Sequence, residues 1–103
     1  MSSVATDIPR LPPQSLEAEQ LVLGAILLDN AALAKAKEVI AETDFYQTAH
    51  QNIFRAILDL SEQGVMIDQV TLSEHLKARG ELESVGGSAA LAELIQATPS
   101  AAN

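Results

Sequence analysis

Thr48-Ala49-His50-Gln51-Asn52-Ile53-Phe54-Arg55-Ala56-Ile57-Leu58-Asp59-Leu60-Ser61-Glu62-Gln63-Gly64 is the stretch on which the fold turns. Ile53, Phe54, Ile57, Leu58 and Leu60 recur at the period of an α-helix and form one broad apolar stripe. Asn52, Arg55, Asp59 and Glu62 fall on the other side, where Arg55 and Asp59 are spaced to pair at i, i+4. Thr48 and Gln51 have the spacing of a capping box, which places the helix start there. Gly64 suits the left-handed residue that ends the helix. A helix with so wide an apolar face needs other helices to cover it.

The flanking sequence supplies them. Upstream, Ser15 is a good N-cap for a helix from Leu16 to about Leu28, with Glu17 and Glu19 in its first turn. Apart from Glu17, Gln20 and Gly24 that helix is largely apolar, so it is expected to be central and buried. Gly24 in its middle is expected to mark the close approach of a neighbouring helix. Asp29 and Asn30 end it and cap a second helix. Leu33, Ala36 and Ile40 form the inner face of that helix, which is expected to stop near Glu42 to Asp44. Phe45 and Tyr46 then form an aromatic plug in a short linker. Downstream, Thr71 and Glu74 read as a second capping box, Leu72 and Leu76 as a buried face, and Gly80 as a stop. Gly86-Gly87 is a turn. Ser88 is expected to cap a fifth helix with Leu91, Leu94 and Ile95 inward, stopped by Thr98-Pro99. Residues 1–14, with Pro9, Pro12 and Pro13, read as a flexible tail. Ser100 reads as the cap of a further helix at the chain's end. The expectation is a small all-α globular bundle of about five to six helices, cut from a longer protein.

Composition agrees. Seventeen Ala and fourteen Leu among 103 residues favour helices. The 48% hydrophobic content is too high for a disordered acidic tail. A net charge of −8 argues against a domain that holds nucleic acid by neutralising phosphates. The absence of cysteine excludes disulfides, thiolate nucleophiles and Cys-based zinc sites. The longest apolar run, Leu21 to Leu28, is far short of the ~20 residues a bilayer requires, and Met1 to Arg10 has no signal-peptide pattern.

Catalytic motifs are absent. There is no G-x-x-x-x-G-K-[ST], G-x-S-x-G or H-E-x-x-H in the chain. The two histidines, His50 and His75, are too few for a recognisable metal site, and none is expected. His75 reads as a half-buried helix residue and His50 as helix-end packing or capping. The carboxylates Glu17/Glu19, Asp59/Glu62 and Glu81/Glu83 read as solvated surface. Val70 to Gly80 is similar to the first half of a helix-turn-helix, so a small DNA-binding regulator is the alternative. Its recognition helix would be Ser88 to Ala97, which carries no Lys or Arg and includes Glu93. A docking surface suits the chain better. The candidate partner-interface residues are Tyr46, whose hydroxyl can stay in water at a rim, and His50. Phe45 is expected to fill the core.

Pro12-Pro13-Gln14-Ser15-Leu16-Glu17-Ala18-Glu19-Gln20, Val22-Leu23-Gly24 and Leu28-Asp29-Asn30 resemble the opening of the bacterial replicative DNA helicases of the DnaB family. Asp44-Phe45-Tyr46, His50, Ile53-Phe54, Thr71-Leu72, Leu82, Val85-Gly86-Gly87, Leu91-Ala92-Glu93-Leu94 and Thr98-Pro99-Ser100-Ala101-Ala102-Asn103 continue the resemblance in order. It covers residues 12–103. It implies that residues 15–103 are the all-α N-terminal collar domain of a hexameric ring helicase, ending where a helical hairpin begins. The RecA-like motor would lie outside this chain, and with it the P-loop, the ATP and Mg2+ cofactors and the 5′ to 3′ unwinding of duplex DNA. The implied partners are further copies of the domain, a DnaG-type primase C-terminal domain at the replication fork, and single-stranded DNA through the ring. The implied setting is the bacterial cytoplasm, without a membrane. No catalytic or cofactor-binding residue, and no ATPase activity, is expected of the chain itself.

Overall fold

Helix α1 (Leu16–Leu28) occupies the span its sequence predicts, with the Ser15 hydroxyl accepting from the Ala18 N–H at 3.3 Å. The structure, a computed structural model, describes residues 15–99. The expected tail and the Ser100 helix start lie outside the described residues. Burial of α1 is one-sided. Leu23, Ile26 and Leu27 are buried, but Leu21 and Leu28 are 40% and 46% exposed, so the expectation of a buried helix holds for one face only.

Helix α2 (Ala32–Val39) is shorter than predicted. Ile40 adopts an extended conformation that places its side chain in the core, which ends the helix before Glu42. Glu42–Asp44 forms a separate 3-10 turn, tied by the Asp44 carboxylate accepting from the Ala41 N–H at 2.8 Å. Helix α3 (Thr48–Glu62) is the predicted amphipathic helix, burying Ile53, Phe54, Ala56, Ile57 and Leu60. It ends at Gly64 (φ +74°), where Val65 N–H donates to the Leu60 carbonyl and Gly64 N–H to that of Ser61. This is the paired closure of a helix end that needs a left-handed residue.

Helix α4 (Gln69–Ala78) begins before the predicted Thr71. Its cap is Asp68: the carboxylate accepts from Thr71 N–H at 2.9 Å and the Thr71 hydroxyl accepts from Asp68 N–H at 3.0 Å. Thr71 is thus the third helical residue of a capping box, not its first. A 3-10 turn, Glu83–Val85, and Gly86 (φ +104°) lead into α5 (Gly87–Gln96). Ser88 does not cap α5. Its hydroxyl accepts from Gln69 Nε2 and from the Ser73 hydroxyl, both at 3.0 Å, and so joins α5 to α4.

The helices wrap one aliphatic core. Helix α1 packs on α5 and α3, α3 on α4, and α4 on α5. Leu23, Ile26, Ile53, Ile57, Leu72, Leu76 and Leu91 are at most 1% exposed. Each such side chain contributes about 1.5–3 kcal/mol by leaving water. Gly24 is the point of closest approach between α1 and the end of α5. A Cβ there would lie 2.5 Å from the Leu94 carbonyl oxygen and overlap Thr98 Oγ1. The sequence reading of Gly24 is therefore correct, and Thr98 seals the contact by donating to the Leu94 carbonyl at 2.8 Å.

Candidate partner interface

The start of α3 brings together the two candidate interface residues and one that the sequence reading placed elsewhere. Phe45 is buried, with its ring 5.2 Å from that of Phe54 and edge-on to His50. This anchors the linker from inside and turns the next residue outward. Tyr46 is accordingly 62% exposed. His50 has the opposite fate: it sits in the first turn of α3 at 8% exposure, facing α1. It offers a partner little surface of its own, and its place is that of the helix-end packing residue.

What His50 faces is Glu19, which is fully buried rather than solvated. Glu19 Oε1 lies 2.7 Å from His50 Nδ1 and also accepts from Gln47 N–H, while Oε2 accepts from Tyr46 N–H at 2.5 Å. A carboxylate only accepts, so all three neighbours are used as donors. Two of them are backbone groups at the entry to α3, the N–H of the N-cap Gln47 and that of Tyr46 just before it, which an oxygen must satisfy. Glu19 is thus a cap for α3 delivered from α1. It replaces the predicted Thr48/Gln51 box, which does not form. Gln47 occupies the N-cap position, and Gln51 donates instead to the Phe45 carbonyl at 2.7 Å. A signal for this existed: Glu19, Leu23 and Ile26 are spaced i, i+4, i+7, on the buried stripe of α1.

A cleft of about 370 Å3 opens beside this cluster, lined by Gln20, Gln47, His50, Glu93 and Leu94 among others. Among the described residues no hydroxyl or thiol lines it, so none of them offers His50 a nucleophile to activate. The other ion pairs are peripheral. Arg55 does not meet Asp59; it spans Glu42 at 3.5 Å and Glu81 at 3.8 Å. Asp59 faces His75 at 3.1 Å. Among the described residues no group of three or more His, Asp or Glu is placed to hold a metal, and no helix is long and apolar enough to cross a membrane.

The helix-turn-helix alternative fails on packing. A recognition helix must project from its neighbours into a groove. Here α5 lies against α1 at Gly24 and against α4 at Ser88, and it carries neither Lys nor Arg.

The DnaB-like helicase N terminal domain family model matches residues 11–103. The replicative DNA helicase DnaB of Geobacillus stearothermophilus is 51% identical over 94 residues, covering 91% of this chain and 21% of that protein. The replicative DNA helicase DnaB of Mycobacterium leprae is 47% identical over 97 residues, covering 94% of this chain and 16% of that protein. The crystal structure of the N-terminal domain of DnaB helicase from Mycobacterium tuberculosis superposes with a TM-score of 0.84 at 47% identity, covering 90% of this chain and 65% of that one. The chain spans about a fifth of the length of the curated Geobacillus and Treponema helicases that it matches. By sequence and by fold, the chain belongs to the family of DnaB-like helicase N-terminal domains.

Proposed function

We propose that this chain is the collar domain of a ring-shaped replicative DNA helicase. In that role it pairs with further copies of itself in the ring and docks the C-terminal domain of a DnaG-type primase. The observation that carries this reading is the match over nearly the whole chain to proteins named replicative DNA helicases. The chain's chemistry supports it. With no phosphate-cradling motif, it contributes geometry rather than turnover. Holding primase on a ring beside the emerging strand raises its local concentration without new chemistry. ATP and Mg2+ belong to the motor of the longer protein, as do the translocating grip on single-stranded DNA and the 5′ to 3′ unwinding. The place of action is the bacterial cytoplasm.

The test is titration of the isotopically labelled chain with the cognate primase C-terminal domain, followed by amide NMR. Saturable shifts confined to one surface are expected, with no ATP turnover by the chain alone. An unchanged spectrum at millimolar primase domain, or measurable ATP hydrolysis, would overturn the reading.

A further inference from the structure

The loop between α3 and α4 displays Met66 at 72% exposure, the most exposed of the large apolar side chains described. Its backbone is clamped. The Thr71 hydroxyl donates to the Met66 carbonyl at 2.8 Å, and the Asn30 side chain takes both backbone groups of Ile67, donating at 2.9 Å and accepting at 2.8 Å. The Ile67 side chain is itself 2% exposed, an anchor in the core. Met66 is therefore held outward by a fixed loop.

Beside it lies a hollow of about 390 Å3 with Met66 and Leu28 on its walls. Leu28 is 46% exposed, and Val70, the second residue of α4, is 63% exposed. Asp29 and Asp68 also line the hollow, and among the described residues no Lys, Arg or His does. Each uses Oδ1 to cap a backbone N–H, of Ala31 and Thr71 respectively. Among the described residues no basic side chain lies within ion-pair distance of either carboxylate. The shelf is thus apolar in the middle and acidic at its edge, on a chain of net charge −8.

We propose that this shelf docks a basic amphipathic segment of a partner protein, its apolar side chains over Met66 and Leu28 and its Lys or Arg side chains beside Asp29 and Asp68. Methionine adapts its shape to varied apolar partners. The clamped loop has little conformational freedom left to lose on binding. The proposal does not depend on the ring and primase reading, since it rests on the shelf alone.

The probe is a synthetic helical peptide of Leu and Lys in an amphipathic pattern, followed through the methionine methyl resonances. The chain has two methionines, Met1 and Met66, and Met66→Leu identifies the second signal. The expected result is a saturable shift of the Met66 methyl that weakens with added salt. Asp29→Asn with Asp68→Asn keeps both caps and is expected to weaken binding about fivefold, the scale of two exposed charge pairs. Met66→Ser, at an exposed position that leaves the fold intact, is expected to weaken it more than the paired Asn variant does. A Leu and Glu peptide that binds equally well would overturn the proposal, as would shifts elsewhere with the Met66 methyl unmoved. A Met66 methyl that moves with protein concentration alone would assign the shelf to a second copy of this chain, and that too would overturn it.

Discussion

The Glu19 carboxylate and the His50 imidazole meet at 2.7 Å across the junction of α1 and α3, with Glu19 fully buried. The same carboxylate accepts the N–H groups of Tyr46 and Gln47. One side chain therefore ties the start of a helix distant in sequence, and His50 within it, to α1.

Replacing Glu19 is expected to be costly because it leaves three donors without an acceptor. Glu19→Leu should destabilise by about 3 kcal/mol, the scale of a broken buried pair. Glu19→Gln, which keeps one acceptor oxygen, should cost about 1–2 kcal/mol. Urea unfolding followed by circular dichroism measures both. A loss below about 0.5 kcal/mol for Glu19→Leu, the range of ordinary surface changes, would show that α3 does not depend on this cap.

Gly24→Ala improves helix propensity by up to about 1 kcal/mol yet should destabilise the protein. The new methyl meets the Leu94 carbonyl oxygen, which belongs to helix backbone and cannot swing aside. Overpacking of this kind costs about 1–3 kcal/mol, so a net loss of about 1–2 kcal/mol and a Tm lower by several degrees are expected. A raised Tm would mean that α5 sits farther from α1 than the structure places it.

Asn30 ties the end of α1 to the α3–α4 loop through Ile26 and both backbone groups of Ile67. Asn30→Ala should cost about 1–3 kcal/mol, since the Ile67 groups lose their partner. Asn30→Asp keeps the acceptor and loses both donated bonds, so an intermediate loss is expected. Hydrogen exchange at the Ile67 amide should accelerate in the Ala variant before the core amides do. Uniform acceleration across the chain would argue against a local clamp.

Tyr46→Ala is expected to leave stability within about 0.5 kcal/mol, because the side chain is exposed. If Tyr46 lies at the primase contact, affinity for the primase C-terminal domain should fall about tenfold, or 1.4 kcal/mol. Calorimetric titration of the two proteins reads this directly. Unchanged affinity in a folded variant would remove Tyr46 from the interface.

Patterns within single segments were readable. The span of α1, the inner faces of Leu33, Ile53, Phe54, Ile57 and Leu91, the stops at Gly64 and Gly80, and the tight approach at Gly24 all follow from periodicity or from glycine's conformational freedom. These properties are set by neighbours within about one or two helical turns. The starts of α3, α4 and α5 were read less well, because several Ser, Thr, Asp and Gln residues near each start can cap. Asp68 rather than Thr71 begins α4, and the Thr48/Gln51 pair is displaced altogether.

Chain composition and helical periodicity by themselves determined an all-α bundle around an aliphatic core, without a catalytic motif. The tertiary structure alone decided which polar residues left the surface. Glu19 looks like a first-turn acid suited to its own helix dipole, but packing α1 on α3 aims it at someone else's unpaired N–H groups. His50 follows it inward, while Tyr46 and Met66 are turned out by the burial of their neighbours Phe45 and Ile67. A polar side chain's place depends on donors and acceptors brought from distant parts of the chain, and those distances exist only once the helices have packed.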